Sequence, residues 1–321
     1  MFSDINTAVD KLLNMNPNAI PRFILLKEFK GLSPKNLEYQ NLYERVCEHS
    51  FVKKHEQTQN ERGFWKPFHG YTEGVIRKLL SFGLDKQHIC LNQVSEYLLK
   101  VLNNEEDWNQ FEKHDNILWW PKMFVPLVSS AMLSLIDNEN PILNEYRNRW
   151  ADIAKESLEN GVYDKNTNIR ALNKSFEFMT KRPIQPFSYY NLLLLAPYKN
   201  KSYLDGFTDK ALVDYCIKEA DNIYYVYNNR PFDFVPITAQ NRDSRDFWHW
   251  IRALSLISQF NGWSEYKETY FEWIISQTNS DGLWEFPKKF DFVLSDSWRG
   301  KNKVIDSSIF VLRFLNRSKA F

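Results

Sequence analysis

The sequence predicts an all-α protein that closes into a double ring of about six helical hairpins, an α/α toroid. Apolar residues recur at helical spacing along almost the whole chain, and the alternating pattern of strands is rare. Helical segments that are apolar on most faces alternate with segments that carry a charged stripe. Segments of the first kind belong inside a folded protein and those of the second kind outside, so each hairpin pairs an inner helix with an outer one.

Six inner helices are predicted, and they recur about every 50 to 65 residues, as in a degenerate repeat. The alternative to a closed ring is an open helical solenoid, but six largely apolar helices need a shared core. Residues 3–14 could supply the last outer helix. No linker rich in Gly, Ser or Pro interrupts the chain, so residues 1–321 are predicted to form a single domain. The inner helices are expected to begin near Ile20, Thr72, Phe124, Ser188, Asp246 and Ile305.

The charge and cysteine content narrow the range of partners. The 41 basic and 40 acidic residues leave a net charge of +1, which argues against bulk binding of nucleic acid or of an anionic membrane. No apolar stretch is long enough for a transmembrane segment, and the amino terminus does not resemble a signal peptide. Three widely spaced cysteines are typical of reduced thiols, so a cytoplasmic location is expected.

Two similar phrases lie near opposite ends of the chain, QNERGFW at 59–65 and QTNSDGLW at 277–284. Each follows a predicted outer helix, over residues 36–57 and 265–277. The glycine is expected to take the left-handed conformation that ends a helix, the glutamine to bond loose backbone groups there, and the tryptophan to pack over the turn. These residues are Gln59 and Gln277, Gly63 and Gly282, and Trp65 and Trp284.

The phrases Gln59-x3-Gly63-x-Trp65 and Gln277-x4-Gly282-x-Trp284 resemble the QW repeat of the squalene cyclase and protein prenyltransferase superfamily. Residues 68–99 and 270–315 also look like repeat units of bacterial squalene-cyclase-like proteins, whereas the middle repeats are less similar. The resemblance implies an α/α toroid with an aromatic central cavity. It also implies acid-initiated cyclisation of a hydrophobic, isoprenoid-type substrate.

Two motifs of that superfamily are missing from this sequence. The Asp-x-Asp-Asp acid motif of the cyclases is not found, and the nearest carboxylate pair is DSRD at 243–246. Asp214-x-Cys216 looks like the zinc pair of protein prenyltransferase β subunits, but the matching later helix offers Asp306 and no histidine. Because two ligands do not make a zinc site, no metal and no cofactor are predicted.

In a closed ring the inner helices run roughly parallel, so their amino termini gather at one face and create a site for polar or anionic groups. The segment 240–250 is the densest of these starts. Asp246 or Asp243 is a candidate acid or base, and His249 a candidate partner because it lies three residues after Asp246. The alternative is that these aspartates only cap the helix and that His249 is an ordinary histidine.

A second candidate pair is His69 and Glu73, which share a helix face if the helix begins there. The pair is either a catalytic acid and base or a capping interaction. A cationic rim for a diphosphate, a carboxylate or an acidic sugar could be formed by Arg242, Arg245, Arg299, Lys301 and Lys303; the alternative is a solvated basic loop. The aromatic residues predicted to bind substrate are Trp248, Trp250, Trp119, Trp120, Tyr189, Tyr190 and Tyr71.

Three functions are compatible with these features. The first is a cyclase-like enzyme that stabilises carbocations with aromatic faces. The second is a carbohydrate-active enzyme with six helical hairpins, a hydrolase or a lyase acting on an acidic sugar. The third is a binding or scaffold protein without catalysis. The expected partner is a small molecule, either hydrophobic or sugar-like, and the sequence leaves the oligomeric state open.

Overall fold

The computed structural model of this chain describes residues 4–105, 119–199, 201–219, 222–224, 231–233, 247–286, 289 and 293–318. Side chains are described in these ranges except at residues 219, 222–224, 231–233 and 247–249. Helices dominate the described residues, which confirms the predicted all-α class. One short antiparallel pair of strands, with Ile223 opposite Phe232, is an addition that the sequence did not predict.

Helices and two short strands follow one another along the described part of the chain. The helices are α1 Ile5–Asn14, α2 Ala19–Ile24, α3 Leu37–Cys47, α4 Ser50–Thr58, α5 Glu73–Ser81, α6 Ile89–Leu102, α7 Val125–Ile136, α8 Leu143–Ser157, α9 Lys165–Phe176, α10 Tyr189–Leu195, α11 Gly206–Asp214, α12 Phe247–Ile257, α13 Lys267–Ser276 and α14 Lys301–Ser318. The strands are β1 Asn222–Tyr224 and β2 Pro231–Asp233.

The six helices that the sequence predicts to be inner ones are present as α2, α5, α7, α10, α12 and α14, and each begins close to its predicted position. The words inner and outer refer below to this prediction. A polar cap sets one of these starts, because Ser188 Oγ accepts a hydrogen bond from the backbone N–H of Asn191. The outer helix predicted over residues 36–57 is broken into α3 and α4. The break occurs because His49 takes an extended backbone conformation and its Nδ1 accepts from Phe51 N, which starts a new helix.

The described residues form two compact units. Unit 1 is drawn from the described parts of Met1–Ser95, Ala239–Trp248 and Thr269–Ala320, and unit 2 from those of Glu96–Thr238 and His249–Glu268. This division does not test the prediction of one domain over residues 1–321, which stays a prediction.

Unit 1 joins the beginning of the described chain to its end. Helix α14 contacts both α1 and α2. The Lys11 ammonium donates to Asp281 O at 2.6 Å, and Arg313 Nε donates to Glu28 Oε2 at 2.8 Å. The helix predicted over residues 3–14 is therefore present as α1 and packs beside the last inner helix. Closure of the whole ring stays a prediction.

Unit 2 is centred on α7, which is apolar on nearly every face and contacts α8 and α10. The buried guanidinium of Arg147 on α8 donates from Nε to Leu194 O at 3.0 Å and thereby links α8 to α10. The buried carboxylate of Asp209 on α11 accepts from Gly262 N at 2.6 Å. These two side chains hold neighbouring segments of unit 2 together by hydrogen bonds to backbone groups, which an apolar side chain would leave unsatisfied.

Two turns of unit 1 have the same hydrogen bonds, and they are called turn staple 1 (residues 60–65) and turn staple 2 (residues 279–284). In turn staple 1, Asn60 N donates to Phe64 O at 3.0 Å, Gly63 N donates to Asn60 O at 2.9 Å, and Asn60 Oδ1 accepts from Phe64 N at 3.2 Å. Asn279 makes the same three bonds in turn staple 2, at 2.8, 2.9 and 3.0 Å. The two glycines have φ angles of 91° and 73°, as predicted.

The tryptophan of each turn staple is buried and bonds the end of the preceding outer helix. Trp65 Nε1 donates to His55 O at 3.0 Å, and Trp284 Nε1 donates to Ile274 O at 2.8 Å. In both cases the acceptor lies ten residues before the tryptophan. The backbone N–H of each tryptophan donates at 3.0 Å to a hydroxyl of the following helical segment. The acceptors are Thr72 Oγ1, just before α5, and Ser308 Oγ, in the middle of α14.

The glutamines do not share one role. Gln59 Nε2 donates to Gly63 O at 2.7 Å and to Cys90 O at 3.0 Å, as predicted. Gln277 Nε2 instead donates to Ser276 Oγ at 2.8 Å, so the predicted backbone bond is wrong there. The repeated residue is the asparagine three positions before the glycine. The sequence contains a signal for this role, since the asparagine has the same spacing from the glycine in NERGFW and NSDGLW. The glutamines do not, because Gln59 and Gln277 are offset by one residue relative to their glycines.

Candidate proton-transfer site

The irregular turn Phe68–Thr72 connects turn staple 1 to the inner helix α5. His69 has an extended conformation there, with φ −68° and ψ 130°, and Gly70 has φ 84°. A Cβ atom at Gly70 would meet no atom within 4 Å, so the glycine is required by its left-handed backbone and not by crowding. The turn places His69 and Tyr71 just before the first residue of α5.

His69 and Glu73 form the predicted pair. The distance from His69 Nδ1 to Glu73 Oε1 is 2.7 Å, and Gly70 N donates to the same oxygen at 2.9 Å. The Glu73 side chain is 0% exposed, whereas that of His69 is 36% exposed. The carboxylate therefore caps the turn and also contacts the imidazole, and the catalytic role of the pair stays a prediction. A carboxylate that accepts at Nδ1 favours the tautomer whose proton is on that nitrogen.

A second pair joins Tyr71 to His55, a residue of the outer helix α4 that the sequence did not single out. The distance between Tyr71 Oη and His55 Nε2 is 3.1 Å, and that between His55 Nδ1 and Phe51 O is 2.7 Å. Burial lowers the pKa of His55, although the bond to the Phe51 carbonyl opposes this change. The imidazole is 2% exposed, while Tyr71 is 41% exposed. The only signal in the sequence was a histidine ten residues before Trp65.

The predicted aromatic residues of unit 2 pack against one another. Trp119 and Trp120 both stack on Phe124, with ring centroids 5.2 and 4.4 Å away, and Tyr190 meets Phe124 edge-on at 6.0 Å. The Arg252 guanidinium lies 5.1 Å from the ring centroid of Tyr189. Trp119, Tyr189, Tyr190 and Trp250 are buried. Their role in binding a substrate stays a prediction.

The segment 240–250, which holds most of the candidate charged and aromatic residues, falls largely outside the described residues. Arg242, Asp243, Arg245 and Asp246 all lie there, as do the side chains of Trp248 and His249, whose backbone belongs to α12. Arg299 is described and is exposed in unit 1. The two lysines of the predicted rim have local partners instead, because Lys301 donates to Met15 O at 2.9 Å and Lys303 pairs with Glu285 at 3.0 Å. The predicted acid, its histidine partner and most of the cationic rim therefore stay predictions.

The two carboxylates that were compared with the zinc motif, Asp306 and Asp214, have local partners. Asp306 on α14 is buried and accepts from Leu294 N at 3.0 Å, Ser295 N at 3.1 Å and Ser295 Oγ at 2.6 Å. Asp214 accepts from Tyr266 Oη at 2.5 Å, and Cys216 is buried. Among the described residues no group of three or more His, Cys, Asp and Glu side chains has an arrangement that could hold a metal ion.

Comparison of the chain with models of known protein families, with curated proteins and with solved structures finds no match. None of the helices in the described ranges combines the length and the apolar character that crossing a bilayer requires.

Proposed function

We propose that this chain is an enzyme built on an α/α toroid and that it works by general acid–base catalysis. His69 is the residue that exchanges a proton with the substrate, and Glu73 is the positioning residue that fixes its orientation. A small-molecule substrate binds beside the turn Phe68–Thr72, at the start of α5.

The observation that carries the proposal is the contrast in exposure within the pair. A fully buried carboxylate lies 2.7 Å from the Nδ1 atom of an imidazole that is 36% exposed. A surface ion pair would leave both groups in water, where such a contact contributes little. Here the carboxylate is removed from solvent and the imidazole can be reached from outside. Imidazole is well suited to proton transfer near neutral pH because its ordinary pKa is close to 6.5.

The chemistry of imidazole favours one of the two substrate classes left open by the sequence. An imidazolium group is a suitable acid for an oxygen leaving group, and neutral imidazole is a suitable base for a hydroxyl or an activated C–H bond. An isolated alkene is far less basic and needs a stronger acid. We therefore place a hydroxylated, sugar-like substrate first, with an acidic sugar as the specific candidate. Arg299, which is exposed in unit 1, is available to bind its carboxylate.

Cyclisation of an isoprenoid is the second candidate, and the stacked aromatic group of unit 2 favours it. The faces of Trp119, Trp120 and Phe124 are the kind of surface that attracts a carbocation. In this mechanism Asp246 or Asp243 would supply the initiating proton, as the resemblance to the squalene cyclases suggests.

Two substrate panels distinguish the candidates. Polysaccharides that contain uronic acids are assayed for new reducing ends and for the ultraviolet absorbance of unsaturated products. Squalene and prenyl diphosphates are incubated in D₂O, and products are analysed by mass spectrometry. Cyclisation that is initiated by a proton and ends by loss of a proton leaves one deuterium in the product. Turnover of the first panel alone supports the leading proposal.

The role of His69 is tested with His69→Ala and Glu73→Gln. We expect His69→Ala to lower kcat/KM about 10²- to 10⁴-fold, the usual contribution of a general acid or base. Glu73→Gln can keep the hydrogen bond while removing the charge, so a smaller loss is expected. The matched control is Glu268→Gln, which changes an exposed glutamate in the first turn of α13 and should have no effect. Full activity of His69→Ala would contradict the proposal, and lack of turnover in both panels would favour a binding protein.

A further inference from the structure

We infer that Tyr71 is a second proton-transfer residue and that His55 activates it by accepting the phenol proton. The inference rests on the proposed function for the identity of the reaction, but the activation of Tyr71 can be tested without a substrate. It adds His55, a residue of the outer helix α4, to a site that otherwise consists of residues near the start of α5.

The direction of the two hydrogen bonds of His55 follows from its surroundings. The Phe51 carbonyl can only accept, so Nδ1 of His55 must carry a proton to bond it at 2.7 Å. Burial lowers the pKa of His55 and so favours the neutral ring, whose other nitrogen has a lone pair. The hydroxyl of Tyr71, 3.1 Å away, therefore donates to Nε2. The phenol proton already points at a base.

The two turn staples show that the fold does not require a histidine at this position. Trp65 Nε1 bonds the carbonyl of His55, and Trp284 Nε1 bonds the carbonyl of the equivalent residue, which is Ile274. Both residues are buried, at 2% and 0% exposure. An apolar side chain satisfies the same backbone geometry in turn staple 2. The imidazole of His55 therefore has a role that the backbone of the turn does not require. Its hydrogen bonds go to the Phe51 carbonyl and to the hydroxyl of Tyr71, and its ring also contacts Phe51 and Trp65.

A proton relay needs one exposed group that meets the substrate and one buried group behind it, and Tyr71 and His55 are arranged in this order. Tyr71 is 41% exposed and so can meet a substrate, whereas His55 is buried and can act only through Tyr71. Tyr71 is two residues from His69 in the turn Phe68–Thr72, so the two proton-transfer residues belong to one loop. His55 itself is held by its helix and by the indole of Trp65.

The protons balance in the following step. A substrate O–H or C–H bond breaks, and its proton forms a new O–H bond at Tyr71 Oη. The original phenol proton moves to His55 Nε2, which becomes an imidazolium group whose Nδ1–H stays bonded to the Phe51 carbonyl. The electron pair left on the substrate expels a leaving group, and His69 in its charged form protonates that group. His55 Nε2 then returns its proton to Tyr71 Oη, which releases its own substrate-derived proton to solvent, and solvent returns a proton to His69.

The activation of Tyr71 is measured with an arenesulfonyl fluoride, a reagent that labels tyrosine oxygen. The phenol oxygen forms a bond to sulfur, fluoride leaves, and the phenol proton passes to His55 and then to water. Labelled sites are identified by peptide mass spectrometry over time. We expect Tyr71 to react roughly tenfold or more faster than N-acetyltyrosine amide, since a positioned base commonly contributes at least that much. Tyr71→Phe removes the label and confirms the site.

Two substitutions separate proton acceptance from structural support. His55→Ile introduces the residue that turn staple 2 uses at the equivalent position, so the melting temperature should change little while the labelling rate falls to that of the free amide. His55→Gln can still accept a hydrogen bond from Tyr71 but cannot take its proton, so its labelling rate should also fall. A rate that is ordinary in the wild-type protein, or unchanged in His55→Gln, would overturn the inference.

A turnover assay keeps this inference separate from the proposed function. With any substrate that the wild-type protein converts, Tyr71→Phe should lower kcat at least tenfold with little change in KM. Unchanged kcat in Tyr71→Phe together with loss of activity in His69→Ala would reject the role of Tyr71 and retain that of His69. Fast, His55-dependent labelling in a protein that converts neither panel would reject the assigned reaction and retain the activated tyrosine.

Discussion

Asp306 is a buried carboxylate on the last inner helix, and its three hydrogen bonds attach residues 294 and 295 to that helix. Burial raises the pKa of this carboxyl and outweighs the hydrogen bonds from Ser295 and Leu294, which favour the charged form. A charged Asp306 therefore contributes less to stability at neutral pH than its hydrogen bonds alone would suggest. Its role is to attach a loop to α14.

The raised pKa of Asp306 predicts the sign of a pH effect. The folded state binds this proton more tightly than the unfolded state, whose value is close to 3.8. As pH falls through the folded pKa toward 3.8, Asp306 should therefore add stability, and this gain is lost as pH rises. As pH falls through this window, we expect an increase in the free energy of unfolding of the wild type minus that of Asp306→Asn. Urea unfolding at several pH values measures it, and a decreasing difference would refute the assignment.

The two glutamines of the similar phrases should differ in their effect on stability. Gln59→Ala removes two bonds to backbone carbonyls, so we expect a loss of about 1–2 kcal/mol in the free energy of unfolding. Gln277→Ala removes only a contact to Ser276 Oγ, so the change should stay within about 0.5 kcal/mol. Chemical denaturation of both variants tests the comparison. Equal losses would restore the role first predicted for Gln277.

The sequence could identify one pair of the candidate site and not the other. His69 and Glu73 were predicted as a pair because residues four apart share one face of a helix. The helix begins only at Glu73, however, and it is the turn Phe68–Thr72 with its left-handed Gly70 that brings the two side chains together. His55 and Tyr71 belong to an outer helix and to the turn after it. Their contact depends on how turn staple 1 folds the chain back, and that path is set by Asn60 and Gly63 through backbone bonds that no helical period reveals.

Among the elements, turn staple 1 depends on close packing against α6. A Cβ atom at Gly63 would lie 2.5 Å from Gln93 O, and the φ angle of 91° is unfavourable for other residues. At Gly31 the φ angle is 66°, and a Cβ atom would meet nothing within 4 Å. The two glycines share a positive φ but differ in the space around them.

This difference predicts unequal costs for two alanine substitutions. Gly31→Ala should lower the free energy of unfolding by about 1–2 kcal/mol, the cost of a left-handed non-glycine residue. Gly63→Ala carries the same strain and also forces the backbone of turn staple 1 away from α6, so its loss should be clearly larger. Thermal unfolding of the two variants provides the test. Equal losses would show that the contact with Gln93 relaxes without cost.

Helical periodicity predicted where the inner helices begin, but not every interruption of the outer ones. The starts of α5 and α10 follow from apolar runs behind Thr72 and Ser188. The division between α3 and α4 results from His49, whose imidazole caps a helix by accepting from Phe51 N. Histidine is not among the usual capping residues, so it did not indicate a helix start. The apolar positions keep their helical spacing across the break, so the periodicity predicted one helix there.

At the scale of the whole molecule, unit 1 combines segments from the two ends of the described sequence. Lys301 Nζ donates to Met15 O at 2.9 Å, and Asn18 Nδ2 donates to Asp296 Oδ2 at 2.6 Å. The prediction that residues 3–14 form a helix is confirmed, as is the all-α class. Closure of the ring requires the arrangement of all hairpins, which local periodicity cannot specify.

Loosening α1 should therefore weaken α14. Val9 and Leu12 are fully buried on α1, and their double replacement by alanine removes side chains from the region where α1 contacts α14. We expect amide hydrogens of α14 to exchange faster, measured by hydrogen–deuterium exchange with mass spectrometry. The control Asp10→Ala alters an exposed residue of the same helix and should leave α14 unchanged. Equal exchange in both variants would contradict this dependence.

The pairing of Glu28 with Arg313 has a consequence for biosynthesis. These residues are separated by 285 positions, so the ribosome releases α1 and α2 tens of seconds before α14 exists. During that interval Phe23, Ile24 and Leu25, which are fully buried in the finished protein, lack part of their packing. We therefore expect these apolar side chains to stay incompletely packed until α14 has been synthesised, and slow translation of α14 would prolong that exposure.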